Sequence, residues 1–88
     1  VLDVRQAWEF RAGAIEGALN IPHTRLAAHL DDLPGDRPIH VHCRTGVRSA
    51  FATALLAREG FHVANVAGGF EAWTKAGFAT SIPSGAAT

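Results

Sequence analysis

Short strand-like and helix-like segments alternate along this chain, and this alternation restricts the folds that it can adopt. Apolar stretches around Leu2, Ile39 and Val63 are short and bounded by Gly, Pro or polar residues, which is typical of strands. Between them lie segments whose apolar residues recur at helical spacing. Strands that alternate with helices usually pair in parallel through crossover connections. The sequence therefore predicts an α/β fold with a central parallel sheet.

The boundaries of these segments follow from apolar periodicity and from Gly and Pro breaks. Strands are expected at 1–4, 18–21, 38–42 and 63–66, and helices at 8–10, 24–33, 46–59 and 70–76, with Thr24 as the N-cap of the second helix. An apolar stripe marks the third helix: Val47, Ala50, Phe51, Ala54 and Leu55. The large aromatic side chains are expected in the core or at the mouth of the site, with the core favoured: Trp8, Phe51, Phe61, Phe70 and Trp73. One domain is expected over residues 1–78, followed by a flexible tail at 79–88.

Composition argues against several classes of function. The 88 residues carry eight basic and eight acidic side chains, so the chain lacks the basic excess typical of nucleic-acid binding. No apolar run approaches the roughly 18 residues that cross a bilayer, and a membrane partner is not expected. The single cysteine cannot form an internal disulfide. A reducing, cytoplasmic location is therefore predicted.

Cys43 lies between the predicted strand 38–42 and the predicted helix 46–59, at the sheet edge where open α/β folds bind ligands. Backbone N–H groups in such a loop and in the first helical turn lack intrahelical partners and can converge on a negative charge. Arg44 and Arg48 add positive potential, and Gly46 lets the backbone curl around the sulfur. A lone cysteine is more often a small buried apolar residue. The two arginines favour a thiol whose pKa lies below about 8.5 and that acts as a nucleophile.

The segment Cys43 to Ser49 resembles the active-site loop of the rhodanese family of sulfurtransferases. Three further segments resemble family signatures: residues 2–10, which include Leu-Asp-Val-Arg and Trp-Glu-Phe, residues 13–22, and residues 68–73, Gly-Gly-Phe-Glu-Ala-Trp. The resemblance extends from Leu2 to Gly77 in the expected order. Ala14 and Glu16 depart from the pattern, since the family often has His and Pro at these positions.

This resemblance implies a three-layer fold with a central parallel sheet and helices on both faces. The family usually has a further strand and helix before the segment that starts here at Val1. These elements are therefore expected to be missing, and the chain is expected to be N-terminally truncated or part of a larger protein. The implied activity is transfer of sulfane sulfur from thiosulfate or a persulfide to a thiol or cyanide through a Cys43 persulfide, without a cofactor. The residues implied to bind substrate are Arg44, Thr45, Gly46, Val47, Arg48 and Ser49.

Other functions remain open at this point. One is a regulatory or sulfur-relay module of a larger multidomain enzyme, whose partner is an acceptor protein or a fused domain. Another is a phosphatase or arsenate reductase, although phosphatases of related shape have one more residue between cysteine and arginine than the Cys43 to Arg48 ring.

Two further groups of polar residues have a structural interpretation. His40 and His42 are two residues apart on one strand and could contribute to a metal site, but local hydrogen bonding is favoured and no metal is expected. Asp3, Arg5 and Glu9 are expected to form a structural ion pair rather than to act in catalysis.

Overall fold

A parallel four-stranded sheet forms the centre of the computed structural model, which describes residues 1–81. Its strands are β1 (Leu2–Asp3), β3 (Leu19–Asn20), β4 (Ile39–His42) and β5 (Val63–Asn65), in the order β3-β1-β4-β5. Two further strands, β2 (Ala14–Ile15) and β6 (Thr80–Ser81), form a separate antiparallel pair. The predicted α/β architecture with a central parallel sheet is confirmed.

Within the described residues, four helices complete the fold. These are α1 (Ala7–Ala12), a 3₁₀ helix (His23–Asp32), α2 (Val47–Arg58) and α3 (Gly69–Lys75). The helix predicted at 46–59 is thus one residue shorter at each end, and the helix predicted at 70–76 is displaced by one residue. Within residues 1–81, none of the helices has the length and apolar character needed to cross a membrane.

The register of the sheet brings the ends of β1 and β4 to the same edge. Asp3 lies opposite His42, and the Val4 N–H donates to the His42 carbonyl over 2.9 Å. Both strands are parallel, so their carboxyl ends lie together. Cys43 follows β4 at this edge, beside the residues that follow β1.

The hydrophobic core lies between the sheet, the 3₁₀ helix and α2. It contains Leu2, Val4, Ile21, Leu26, Leu33, Ile39, Val41, Cys43, Ala52 and Leu56. Leu26 and Leu56 are fully buried, and Leu55, Phe61 and Val63 pack partly buried against this cluster. Most of the core side chains come from β1, β4, the 3₁₀ helix and α2. Packing of these elements fixes the sheet edge at which Cys43 follows β4.

The apolar side of α2 is not where the sequence placed it. Val47 and Phe51 are 77% and 79% exposed, whereas Ser49, Ala52 and Leu56 face the core. The helix is rotated so that Ser49 points inward, where its Oγ donates to Oδ1 of Asn65. Small side chains then let α2 pack closely on β4 and β5, and the predicted stripe points mostly to solvent. Trp8 is likewise 68% exposed, so its assignment to the core was also wrong.

The helix predicted from Thr24 is a 3₁₀ helix that begins one residue earlier. Its first turn is closed by the Arg25 N–H, which donates to the Pro22 carbonyl over 2.8 Å, the three-residue spacing of a 3₁₀ turn. Thr24 therefore lies inside the helix and does not cap it. His29 has non-helical backbone angles, φ −122° and ψ 21°, which kink the segment.

The pairing of β2 with β6 was not predicted. Ala14 lies opposite Ser81 and Ile15 opposite Thr80, so part of the expected 79–88 tail is a strand. Residues 82–88 lie outside the described part of the chain, and the tail prediction is untested there. Strands of two residues show no periodicity, which explains why both were missed.

Substitution of Leu56 and of Phe51 by alanine should separate the two sides of α2. We expect Leu56→Ala to lower the free energy of unfolding by about 3 kcal/mol, because it leaves a cavity in the core. Phe51→Ala should change it by less than about 0.5 kcal/mol, because the ring is exposed. Urea unfolding measures both values, and equal losses would contradict the observed rotation of the helix.

Candidate functional site

Cys43 is the first residue after β4, and its side chain is almost completely buried. Residues 43–46, here called the Cys43 loop, connect β4 to α2. The Gly46 N–H points back at the sulfur and lies 3.1 Å from Sγ. Gly46 has φ 112° and ψ −7°, a left-handed conformation that glycine adopts without the strain of a side chain. The curl expected at Gly46 is therefore present.

The environment of the sulfur favours its ionised form. Burial raises the pKa of the Cys43 thiol, but the hydrogen-bond donors around it, the Ser49 hydroxyl and the amides of Ser49, Gly46 and Thr45, lower the pKa by more. The resulting pKa lies below that of an ordinary cysteine. Cys43 is consequently a buried thiol that ionises more easily than an ordinary cysteine, which suits a nucleophile and a leaving group.

The carbonyl groups of the Cys43 loop are bound by the start of α3. The Phe70 N–H donates to the Cys43 carbonyl over 2.7 Å, and the Glu71 N–H donates to the Arg44 carbonyl over 3.0 Å. These bonds satisfy the loop carbonyls on the α3 side, while the Gly46 amide faces the sulfur. The position of α3 therefore helps to fix the direction in which the loop amides point.

Gly69 makes this contact possible. A Cβ added at Gly69 would overlap the carbonyl oxygen of Cys43 and would lie 2.7 Å from that of Arg44. The residue also has φ +60°, where other residues are strained. The sequence indicated only a tight turn at Gly68 and Gly69. The sequence Gly68-Gly69-Phe70 was the available signal that the backbone here approaches another segment closely.

Arg48 is bound by a carboxylate of α1. Its Nη1 and Nη2 donate to Oε1 and Oε2 of Glu9 over 2.6 and 2.9 Å. The hydrogen bond from Arg48 is the main reason why the pKa of Glu9 falls to about 2, and the same bond raises the pKa of Arg48. Glu9 Oε1 also accepts from the Gln6 N–H over 3.0 Å, at the start of α1. The sequence grouped Glu9 with Asp3 and Arg5, and its pairing with Arg48 was missed because 39 residues separate the two.

Asp3 and Arg5 form the ion pair expected from the sequence. Arg5 Nη2 lies 2.7 Å from Asp3 Oδ2, and both side chains are buried. The guanidinium also donates to the Gly13 carbonyl over 2.8 Å and lies 4.2 Å from the centre of the Phe70 ring. This network joins the end of β1 to the start of α3, beneath the Cys43 loop.

The other predicted loop residues point away from the sulfur or remain at the surface. Thr45 and Val47 are exposed, and the side chain of Arg44 is 70% exposed with its Nε 3.7 Å from Glu71 Oε2. Arg44 lines an open cleft of about 330 Å³, together with Trp8, Phe70 and Glu71. Both arginine side chains are thus near carboxylates, and the group that donates to Sγ is the Gly46 amide.

Ser49 connects the sulfur to β5. Its side chain is fully buried in the first turn of α2, and its Oγ lies 2.5 Å from Oδ1 of Asn65. Ser49 was among the predicted loop residues, whereas Asn65 was not identified. Nothing in the sequence distinguished Asn65 from other polar residues at the end of a strand.

His40 and His42 do not form a common site. His40 is exposed, while His42 is fully buried with Nδ1 3.3 Å from the Cys43 carbonyl oxygen. Burial lowers the pKa of His42, so the ring is held neutral despite Asp3 at 3.6 Å. Within residues 1–81, no group of three His, Cys, Asp or Glu side chains is arranged to hold a metal ion.

Comparison with known proteins identifies the family. The family model of the rhodanese-like domain matches residues 1–76. The chain belongs to the rhodanese-like family. A rhodanese-related protein from Thermoplasma volcanium has the same fold, with a TM-score of 0.89 and 33% identity over 93% of this chain and 82% of that one.

Two relatives of this rhodanese-like domain are named sulfurtransferases. A sulfurtransferase of Allochromatium vinosum is 34% identical over 97% of this chain and 80% of that protein. The thiosulfate sulfurtransferase GlpE of Shewanella oneidensis is 36% identical over 86% of this chain and 76% of that protein. At the level of the family, these similarities support a sulfurtransferase.

A third relative places such a domain in a larger protein. The probable adenylyltransferase/sulfurtransferase MoeZ of Mycobacterium tuberculosis is 40% identical over 85% of this chain, and the match spans only 20% of that protein. Rhodanese-like domains of this family therefore also occur as one region of a larger protein.

Gly69→Ala should disrupt the contact between α3 and the Cys43 loop. We expect a loss of about 3 kcal/mol in the free energy of unfolding, from overlap with the loop carbonyls and from the left-handed backbone. Gly17→Ala is the matched control, because Gly17 has φ +81° but no atom within 4 Å of an added Cβ. It should cost about 1 kcal/mol, from the backbone alone. Equal losses in urea unfolding would show that the close approach is not important.

Glu9→Gln should lower stability in a pH-dependent manner. The pKa of Glu9 is depressed in the folded protein, so the carboxylate stabilises the fold above the unfolded-state pKa of about 4.5 and this contribution is lost as pH falls toward about 2. With allowance for the partly exposed Arg48, we expect a loss of about 2 kcal/mol at pH 7 and less than half of this at about pH 3.

Urea unfolding of the wild type and the Glu9→Gln variant at both pH values tests this expectation. Glu16→Gln is the control, since Glu16 is exposed and should change stability little. A Glu9→Gln effect that does not depend on pH would mean that the ion pair with Arg48 contributes nothing to stability.

Proposed function

We propose that this domain is a sulfurtransferase in which Cys43 carries sulfane sulfur as a persulfide. The observation that carries this proposal is the buried Cys43 sulfur, which accepts a hydrogen bond from the Gly46 amide and has a lowered pKa. Thiosulfate is the proposed donor, in keeping with the name of the GlpE relative. The proposed acceptors are cyanide or a thiol.

The proposed reaction has two displacement steps. The Cys43 thiolate attacks the outer sulfur of thiosulfate, the S–S bond of thiosulfate breaks, and sulfite leaves with the bonding electrons. The product is a Cys43 persulfide anion. Cyanide then attacks the outer sulfur, the Cys43 Sγ–S bond breaks, and thiocyanate and the Cys43 thiolate are formed. A thiolate acceptor reacts in the same way and leaves as a persulfide.

The loop supplies a separate contribution to each step. Its amides stabilise negative charge on Sγ, which is the nucleophile in the first step and the leaving group in the second. The roles proposed for the loop residues are therefore backbone donation by Thr45, Gly46 and Ser49 and placement of the Ser49 hydroxyl. Arg44, at the exposed rim of the cleft, is proposed to attract the anionic donor, and Arg48 to hold α1 against the loop through Glu9.

A second candidate function is a sulfur-relay or regulatory module within a larger protein. It is favoured by the MoeZ relative, in which the matching region is one fifth of the chain. A phosphatase or arsenate reductase is less favoured, because the ring between Cys43 and Arg48 is one residue shorter than in phosphatases. We further propose a reducing compartment such as the cytoplasm, where a lone thiol remains reduced.

Mass spectrometry after incubation with thiosulfate tests the leading proposal. We expect an adduct of about 32 Da, one sulfur atom, that disappears when cyanide is added. Cys43→Ser should abolish the adduct because the nucleophile is lost. Ala50→Ser, which adds a hydroxyl at an exposed position of α2, is the control and should leave it unchanged. If the folded wild-type domain formed no adduct, the module function would be favoured instead.

A further inference from the structure

The Ser49 hydroxyl has one proton and two neighbouring acceptors. It donates to Oδ1 of Asn65, with the two oxygens 2.5 Å apart. The second acceptor is the Cys43 sulfur, which lies 3.1 Å from the amide of Gly46, the N-cap of the helix that carries Ser49 in its first turn. A hydroxyl can rotate, but it can donate to only one acceptor at a time. Ser49 must therefore distribute its proton between the amide oxygen on β5 and the sulfur.

The charge on the sulfur decides which acceptor is preferred. A thiolate is an anion and accepts a stronger hydrogen bond than a neutral amide oxygen does. A sulfur bonded to a second sulfur atom has lost most of this negative charge. Asn65 is then the better acceptor, and the fully buried Ser49 Oγ remains satisfied in both states.

We propose that Ser49 is a two-position hydrogen-bond donor, held by Asn65 while Cys43 carries sulfur and turned to Cys43 Sγ when the thiolate forms. This inference rests on the proposed sulfur-transfer function. In this proposal Ser49 donates to the reacting atom and is therefore a catalytic residue. Asn65 acts through Ser49 and is a positioning residue, and its strength as an acceptor sets how readily the hydroxyl turns.

The rotation assists the release of sulfur. When an acceptor thiolate attacks the outer sulfur, the Sγ–S bond breaks and its electron pair remains on Sγ, while a new S–S bond forms on the acceptor. The Ser49 proton stays on Oγ throughout and only changes its hydrogen-bond partner. A leaving thiol of lower pKa departs faster, so the arriving hydrogen bond favours this second step.

The surrounding charges are unchanged by substitution of either polar residue. Arg48 is the cation that interacts with Cys43, and Glu9 binds it from α1. His42 precedes the sulfur on β4 and is held neutral by burial. Asn65 is exposed, and its other hydrogen bond is a long one of 3.5 Å from Nδ2 to the Gly46 carbonyl, so its replacement should leave the fold intact.

The pKa of Cys43, measured from the ultraviolet absorption of the thiolate in four variants, tests whether Asn65 competes with the sulfur for the Ser49 hydroxyl. The alternative is that Asn65 only holds this hydroxyl in place. Ser49→Ala should raise the pKa by about one pH unit, because a hydrogen bond to the thiolate is lost. Asn65→Ala should lower it, because the competing acceptor is gone. The double variant should match Ser49→Ala alone. Thr53→Ala is the control: it removes a hydroxyl that donates to the Ser49 backbone carbonyl and not to the Ser49 side chain or the sulfur, so it should not change the pKa.

Rates of sulfur release provide the second measurement. After loading with thiosulfate, Ser49→Ala should transfer its sulfur to cyanide about threefold more slowly than the wild type, and Asn65→Ala should be at least as fast as the wild type.

If Asn65→Ala raised the pKa of Cys43 as Ser49→Ala does, Asn65 would only hold the Ser49 hydroxyl in place and the proposal would be overturned. An Asn65→Ala effect that persisted without the Ser49 hydroxyl would also overturn it. Absence of the persulfide adduct would instead refute the sulfur-transfer function, and the pKa measurements would still test the hydroxyl.

Discussion

The contact between the start of α3 and the Cys43 loop is the constraint on which the site depends. Backbone amides of Phe70 and Glu71 bind the loop carbonyls, and this packing leaves no room for a side chain at Gly69. With its carbonyls held on that side, the loop presents the Gly46 amide to Sγ. Two segments 26 residues apart in the chain thus build one environment for the sulfur, and neither would form it alone.

Stabilisation of negative charge on the sulfur is mainly a property of the backbone and of one hydroxyl. Arg48 is bound in a bidentate pair by Glu9, and Arg44 is exposed beside Glu71. The ion pair between Glu9 and Arg48 joins α1 to α2 across the site, so a charge that the sequence assigned to the substrate also holds the structure together. A domain of zero formal net charge can in this way concentrate hydrogen-bond donors at one point.

The exposed side of α2 shows where periodicity fails as a guide. Val47 and Phe51 belong to a regular apolar stripe, yet they face solvent, while the less apolar Ser49 and Ala52 face the sheet. The Ser49 side chain points inward and binds Asn65 on β5, and this orientation of α2 leaves Phe51 exposed. The spacing of apolar residues in the sequence does not contain this long-range contact.

The sequence by itself determined the α/β class, the parallel sheet, the order of most elements and the position of Cys43 between a strand and a helix. These features depend on local spacing of apolar residues and on Gly and Pro breaks, which act within a few residues. Only the tertiary structure decided the partners of Glu9, Gly69 and Asn65 and the pairing of β2 with β6. These contacts join residues far apart in the chain, and their geometry follows from how the helices pack on the sheet.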